Sequence, residues 1–482
     1  PRSTLFPYTT LFRSNKELLR LAPTDAEIIY AGKRPNEHVF PQAELNKLLI
    51  DRARAGKCVV RLKGGDPYVF GRGGEEVEGL AAARIPLEVI AGVSSFVAGP
   101  SYAGIPLTHR EHSSTVTLLT GHEDPSKPES ALDFAHLAKT PGTIIIMMGT
   151  QRIGQIAASL MAEGKAPATP VAMVRWATTG QQQVLEGTLA DIAEKAAAVE
   201  FTPPTVTVIG EVVKLREKLS WFEKRPLFGR RVVVTRARDQ ASQLRQPLAE
   251  LGAEVLEIPT IKIAPPEART ELAEALMGLA DYQWIVFTSA NGVTAFFDYF
   301  FKAFDDLRSI GGVRIAAVGP GTAAKLKELH LGVDVMPETA LGSQVAAAMN
   351  NFESVENLNI LLARAERANP ELPKALTELR AIVDDVGFYR TVPETEDRTG
   401  AAAKLLESGA DWISFTSAST VEHFHARFDL PKLVRQFPRI KLASIGPETS
   451  KAITALGLKP AVEAKQHTID GLVKALAAAQ TA

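Results

Sequence analysis

Cysteine is nearly absent from this 482-residue chain, where Cys58 stands alone. One thiol excludes an internal disulfide framework and any metal site built from several cysteines. Long apolar runs are missing too. Candidates such as Thr143–Met148 have strand length, well short of the roughly 18 residues a membrane helix needs. Nor does one charge dominate, since 54 Lys and Arg face 55 Asp and Glu. A net charge of −1 supplies no overall field to gather nucleic acid or an anionic membrane. No G-x-G-x-x-G follows a strand, which counts against a nicotinamide dehydrogenase. Nothing in the residues points to a metal. What is present is ordinary for packed cores: 45% hydrophobic and 23% charged residues. At about 150 residues per domain the length implies roughly three domains. These features predict a cytoplasmic, multidomain enzyme or binding protein.

Pro1–Ser14 reads PRSTLFPYTTLFRS, with no initiator Met and no basic-then-apolar leader. It resembles a translated sequencing adapter and is expected to be a non-native scar outside the fold. From Glu27 onward, short β-branched runs alternate with helical stretches, which predicts α/β layers. Strands are expected at Glu27–Tyr30, Cys58–Leu62, Leu87–Ile90, Thr115–Thr120, Thr143–Met148, Val171–Val174, Thr205–Ile209 and Val232–Thr235. Gln42–Ala55 reads as a helix, with Leu45, Leu48 and Leu49 on one face and Gly56 as its stop. EVVKLREKLSWFEKRPLFGRR, from Glu211 to Arg231, marks the main boundary. The expected units are 15–215, a linker at 216–228, and 229–482.

The second unit repeats internally. VVVTRARD from Val232 returns as ILLARAER from Ile360, and YQWIVFTSANGVTAFF from Tyr282 as ADWISFTSASTVEHFH from Ala410; both offsets are 128. IAAVGPGTAAKLKELHLG from Ile315 returns 127 residues later as LASIGPETSKAITALGLK from Leu442. Two similar α/β lobes follow, and clefts between such lobes are preferred ligand sites.

RLKGGDPYVFGRGGEE, Arg61–Glu76, lies directly after a strand. Gly64 and Gly65 would let backbone approach a ligand closely, and Asp66 could accept a hydrogen bond from an amine or a ribose hydroxyl. A tight turn with a capping Asp reads equally well. GVSSFVAGPSYAGIPLTHR, Gly92–Arg110, is too rich in Gly and Pro for a long helix. Its Ser94 and Ser95 would sit just past a strand end, where α/β sheets bind ligands. His109 and Arg110 would bind a carboxylate or form an exposed basic turn.

Lys33-Arg34, Gly64-Gly65-Asp66-Pro67, Val69-Phe70-Gly71-Arg72, the run Gly104–Arg110 and Pro204-Thr205-Val206 together resemble the uroporphyrinogen-III C-methyltransferases of the tetrapyrrole methylase family. The resemblance covers about residues 15–220. It implies a two-lobe α/β unit with S-adenosyl-L-methionine folded between the lobes. It assigns Gly64, Gly65, Asp66, Val69, Ser94, Ser95, Met148 and Ala177 to the cofactor and makes Lys33 a proton donor. Uroporphyrinogen III would be methylated twice to precorrin-2. Its eight carboxylates would meet Arg34, Arg72, His109, Arg110 and Arg175, because Arg grips a carboxylate through two parallel bonds. Members of this family open with a strand, a Gly-Ala-Gly-Pro-Gly-Asp loop and a Tyr-Asp pair. None of these is present, so a missing first strand, an exposed neighbour and poor methylation or none at all are expected.

WIVFTSANGV, AAVGPGTA, FYRTVP, WISFTSASTV and ASIGPETS resemble uroporphyrinogen-III synthase over about 229–482. The resemblance implies one lobe from 229–262 plus 390–482 and another from 263–389, joined by a pair of strands. The reaction would cyclise hydroxymethylbilane with inversion of ring D. Because the pyrroles drive that chemistry, the protein mainly holds the chain in shape, which fits a half without triad or metal cluster. Backbone N–H groups at Thr-Ser strand ends and Gly-Pro turns are the candidate carboxylate binders. They point to Thr235, Arg236, Ser289, Ala290, Gly319, Thr322, Ser417, Thr420, Gly446 and Thr449. Tyr389 matches a family position whose phenol assists departure of the hydroxyl, though packing explains a lone Tyr as well. The expected protein is thus a bifunctional enzyme of sirohaem and cobalamin precursor synthesis, with a homodimer through the first half. A synthase with an inactive methylating half and a non-catalytic tetrapyrrole binder are the alternatives.

Overall fold

The computed structural model describes residues 4–8, 18, 21–23, 25–31, 41–121, 132–267, 269–338, 342–397 and 399–481. Eighteen strands fall into four sheets among these residues. β1 (Thr4–Tyr8), β2 (Glu27–Tyr30) and β3 (Cys58–Val59) make a parallel sheet in the order β2-β1-β3. β4 (Val116–Thr120), β5 (Thr143–Met147), β6 (Pro170–Arg175), β7 (Gln183–Thr188) and β8 (Thr205–Ile209) make a mixed sheet in the order β4-β5-β8-β6-β7. The remaining ten are β9 (Arg231–Val234), β10 (Glu254–Glu257), β11 (Ile261–Ala264), β12 (Trp284–Phe287), β13 (Arg314–Ala317), β14 (Asn359–Ala365), β15 (Ile382–Pro393), β16 (Trp412–Phe415), β17 (Lys441–Ser444) and β18 (Val462–Glu463). They form two sheets, β10-β9-β16-β17-β18 and β11-β15-β14-β12-β13.

The first strand corrects an expectation. Thr4–Tyr8, set aside as a scar, forms β1 at the centre of its sheet, in register with β2 from Leu5↔Glu27 to Tyr8↔Tyr30. Pairing is made by backbone amides, and a short segment with Thr and aromatic residues suits a pleated position whatever its origin. Leu87–Ile90 is the opposite case. Its apolar residues have no ladder and no regular structure, and Ile90 is 70% exposed. An apolar run becomes a strand only where a neighbour pairs with it. The Cys58–Leu62 strand is shorter than expected. β7 was not anticipated, because QVLEGT carries Glu186 and Gly187 at a sheet edge.

Three helices position the first half. α1 (Gln42–Arg54) buries Leu45 and Leu49 and ends before Gly56, which adopts φ +79°. α2 (Gly73–Ala82) follows the glycine-rich loop. α3 (Ser95–Tyr102) is short, as its Gly and Pro content requires. Period-two alternation seats α3 on one face of the mixed sheet. Ile144 and Ile146 of β5 face the helix Ile153–Ala162, whereas Val174 and Val208 face Ala103 and Ile105, just beyond α3.

In the second half the repeat becomes visible as topology. β9, β16 and β17 of one sheet correspond in order to β14, β12 and β13 of the other. The isolated bridge Ala316↔Val335 stands where β18 stands in the first lobe. β15 runs parallel to β14 and then antiparallel to β11, so it carries the chain between the lobes. Phe287 packs on Phe296 and Phe297, while Trp284 and Val286 face Val345 and Met349.

Residues 216–228, expected as a linker, are packed rather than extended. Arg216 bonds to the Ala103 carbonyl (2.6 Å), Glu186 (2.8 Å) and Glu223 (2.6 Å). Phe222 and Leu227 are fully buried. Trp221 donates to the Ser101 carbonyl, and Leu227 joins the core formed by Val232, Leu244 and Trp412.

Candidate functional site

The glycine-rich loop is folded against the segment that leads into α3. Asp66 N–H donates to Ser94 Oγ (3.0 Å), while the Asp66 carboxylate accepts from Gly92 N–H (3.2 Å) and Tyr68 N–H (2.9 Å). A Cβ on Gly92 would lie 2.4 Å from the Gly65 carbonyl, and one on Gly65 would lie 3.3 Å from Ser94. Ser94 is buried as the residue preceding α3, not past a strand end as expected. Gly65, Asp66 and Ser94 are therefore brought together, with Val69 held by its N–H to the Asp66 carbonyl. Ser95 opens α3 and is exposed, as is Gly64. Arg72 is exposed with φ +57° and pairs with Glu75, so its charge is engaged within its own loop.

Further along α3, Gly99 faces Ala177, so the helix touches the end of β6 as well as the loop. Met148 follows β5, and Arg175 closes β6 beside Thr205 with its guanidinium 4.0 Å over the Trp176 ring. Strained backbone concentrates here. Eleven described residues other than glycine have positive φ, and five of them are Phe70, Arg72, Met148, Trp176 and Thr178. Such strain persists where the surroundings impose it, often at ligand sites.

Two expected carboxylate binders lie elsewhere. Thr143, at the start of β5, donates to the Leu107 carbonyl, and Ser113 bonds back to His109. His109 and Arg110 are thus at the end of the sheet opposite Met148, about 16 Å away along β5. His109, Glu111 and His112 place ligand atoms within 4.8 Å of one another. His109 Nδ1 accepts from Glu111 N–H (3.2 Å) within the same turn. Lys33 and Arg34 lie outside the described residues.

In the second half, both lobes present the same pair of turns at the same sheet edge. Ser289 caps the helix Ala290–Ala303 through Gly292 N–H (3.0 Å), and Ser417 caps Ala418–Phe428 through Thr420 N–H (3.3 Å). Gly319 and Gly446 precede Pro320–Glu328 and Pro447–Ala455, each with Pro as the first helical residue. β12 and β13 are adjacent, as are β16 and β17, so each lobe aims two helix N-termini at one edge. Amide N–H groups there favour anions. Thr235, Thr322, Thr420 and Thr449 are buried, and Thr235 donates to the Ser414 carbonyl. With those Thr side chains buried, the turns present chiefly backbone N–H groups, framed by Ser289, Ala290, Ser417, Gly319 and Gly446.

The repeat is not symmetric in its charges. Arg364 is locked by Asp385 and the Asn369 carbonyl, with 5% exposure. Its counterpart Arg236 is half-buried and touches Gln243 (3.2 Å). Tyr389 pairs with Ala365 just past a β-bulge at Arg364/Ala365, which turns its hydroxyl to within 3.0 Å of Ser289 Oγ. Burial pushes the Tyr389 phenol above its ordinary pKa, with the Ser289 bond opposing, so it is a neutral hydroxyl across the physiological range. Two features were not anticipated. His467 packs against Gly446, and Glu76 is buried beneath the glycine-rich loop. RLKGGDPYVFGRGGEE did contain a signal for the second, two cations before the glycines and an acid after them.

The family described as tetrapyrrole (corrin/porphyrin) methylases matches residues 8–193, and that described as uroporphyrinogen-III synthase HemD matches residues 242–474. The S-adenosyl-L-methionine-dependent uroporphyrinogen III methyltransferase of Methanosarcina barkeri is 52% identical over 204 residues, 42% of this chain and 80% of that one. The uroporphyrinogen-III C-methyltransferase of Bacillus subtilis is 34% identical over 72% of this chain and 70% of its own. The porphyrin biosynthesis protein HemD of Ruminiclostridium josui is 35% identical over 463 residues, 96% of this chain and 90% of that one. A match through nearly all of both chains, spanning both families in order, shows that this chain belongs to the porphyrin-biosynthesis proteins that join a tetrapyrrole methylase to a uroporphyrinogen-III synthase.

Proposed function

We propose that the second half closes hydroxymethylbilane to uroporphyrinogen III with inversion of ring D, and that the first half methylates that product twice to precorrin-2. The observation that carries this is the repeated pair of helix N-termini at one edge of each lobe, a surface of amide donors suited to a polycarboxylate without acid–base machinery. Tyr389 supplies a neutral O–H beside Ser289 for the departing hydroxyl. In the first half, Gly64, Gly65, Asp66, Val69, Ser94, Ser95, Met148 and Ala177 would hold S-adenosyl-L-methionine. The close backbone approach between Gly65, Gly92 and Ser94 fits a cradle that side chains would fill. The cofactor supplies an electrophilic methyl group when bound. Arg175 and Arg72 would orient substrate carboxylates, and Lys33 would handle the proton.

Residues 9–26 contain no glycine, so no glycine loop follows β1. Methyl transfer is therefore expected to run slower than cyclisation. Anaerobic incubation with hydroxymethylbilane and S-adenosyl-L-methionine, followed by chromatography and mass, tests both halves. Uroporphyrinogen III is expected first, with a dimethylated product accumulating later. Only the uncatalysed type-I isomer, with tight binding of the tetrapyrrole, would replace the synthase reading with a binding role.

Tyr389→Phe is expected to lower the synthase rate about tenfold, the worth of one well-placed hydrogen bond near 1.4 kcal/mol. A rate above half of wild type would remove the phenol from the reaction. Because its pKa is raised, wild-type activity should show no loss from Tyr389 ionisation on approaching pH 10.

Leu87, Ile90, Val93 and Val97 leave apolar surface exposed in the first half, which supports a homodimer through that half. Sedimentation of the same sample reads this directly, and a monomer at every concentration would reject it. No helix of the described residues is long and apolar enough to cross a membrane. With one cysteine and balanced charge, the cytoplasm is the compartment we assign.

A further inference from the structure

Beneath the glycine-rich loop lies a buried charge cluster that neither proposed reaction uses. Glu76 is 4% exposed, in the first turn of α2. Its Oε1 accepts from Lys63 Nζ (2.9 Å) and from Arg61 Nη2 (3.1 Å) and Nε (3.3 Å). Lys63 and Arg61 stand before the loop, and Glu76 stands after it. The ion pairs therefore join the two ends of a loop that holds Gly64, Gly65, Asp66 and Val69.

The loop is compact within that clasp. Gly73 N–H donates to the Pro67 carbonyl (3.0 Å), and a Cβ on Gly73 would lie 2.4 Å from the same oxygen. The Lys63 stem runs under Gly71, whose Cβ would lie 3.3 Å from Lys63 Cε. From α1, Asn46 donates to the Glu75 carbonyl (3.1 Å) and Gln42 reaches Glu76 (3.4 Å). The contacts from Lys63, Arg61 and α1 thus converge on Glu76 or its neighbour. Breaking a buried pair on one side leaves charge without compensation and is costly, so the clasp sets the loop's geometry strongly. A preformed loop avoids the ordering cost that a ligand would otherwise meet.

We propose that Glu76, acting with Lys63 and Arg61, is a positioning residue that holds the 64–72 loop in its cofactor-binding shape and so sets the affinity for S-adenosyl-L-methionine. This rests on the reading of that loop as the cofactor site.

The test compares the full chain with Glu76→Gln, Lys63→Met, Lys63→Arg and Asp66→Ala, titrating S-adenosylhomocysteine by calorimetry. Glu76→Gln and Lys63→Met are each expected to weaken binding at least about tenfold, and Lys63→Arg to retain most of it. In steady state, Glu76→Gln should raise the KM for S-adenosyl-L-methionine while kcat falls less than threefold. A merely structural residue would instead lower the amount of active protein, reducing kcat with KM unchanged. Circular dichroism melting of each variant separates these cases, and if Glu76→Gln unfolds the first half, Lys63→Met decides. Binding within twofold of wild type in folded Glu76→Gln, with Asp66→Ala impaired, overturns the proposal. Binding within twofold in Asp66→Ala overturns the assignment of the loop itself.

Discussion

Gly92→Val is expected to weaken S-adenosylhomocysteine binding about a hundredfold while leaving the synthase rate within twofold of wild type. Any side chain at this position starts with its Cβ 2.4 Å from the Gly65 carbonyl oxygen and 2.9 Å from the Gly65 carbonyl carbon. Those atoms are backbone and cannot rotate away, so one of the two segments must move. Movement also breaks the bond from Gly92 N–H to the Asp66 carboxylate, and it pulls Asp66 N–H from Ser94 Oγ. Overpacking of this kind costs about 1–3 kcal/mol, and about 2.7 kcal/mol corresponds to the hundredfold loss. Calorimetric titration measures it. Binding within threefold of wild type would mean that the two segments do not form one site. The synthase half has no contact in this chain of events, and its rate reports whether the protein as a whole has folded.

Arg216→Met is expected to destabilise the first half and its junction by about 3 kcal/mol in denaturant unfolding. Arg216 is buried and bonds to Glu186, Glu223 and the Ala103 carbonyl at once. Its removal strands Glu223, which is mostly buried and otherwise accepts from Gln182 Nε2 (2.9 Å). Losing one member of a buried pair costs about 3–5 kcal/mol, whereas replacing both with apolar groups is often close to neutral. Arg216→Met combined with Glu223→Met should therefore recover most of the loss. A single-variant change below about 1 kcal/mol would show that the junction tolerates an uncompensated carboxylate. Neighbouring contacts make the site sensitive. Trp221 and Phe222 pack on Tyr102 at the end of α3, and Gly180 lies against the Gly252–Glu254 backbone, where a Cβ would be 2.4 Å from Glu254 N. Gln181 also bonds to Glu254, which is held in turn by Arg231 and Lys404. The first half is thereby seated on the synthase.

Much of this protein was legible before any coordinates. Short continuous apolar runs marked β5, β6 and β8, because strands buried on both faces read as near-continuous apolar segments. The near-constant 128-residue offset announced two lobes, and their sheets have matching strand order. The Thr-Ser and Gly-Pro turns were readable because capping chemistry is local and fixes residue types at fixed offsets.

Pairing and burial were not legible. β1 and the unpaired Leu87–Ile90 segment were misjudged because a strand is completed by a partner that local sequence does not contain. His109 and Arg110, expected to bind substrate carboxylates, are placed by the path through Leu107 and Thr143 at the end of β5 away from Met148. The hydroxyls of Thr235 and Thr420 are taken up by the sheet and by a helix cap, which the local sequence does not reveal. Composition, periodicity and local turn chemistry by themselves determined the α/β class, the repeat and the motif loops, since each depends on residues close in the chain. Only the tertiary structure decided which loops meet, which charges are buried together at Glu76 and Arg216, and where the two halves touch, since those are contacts between residues far apart in sequence whose energies depend on burial.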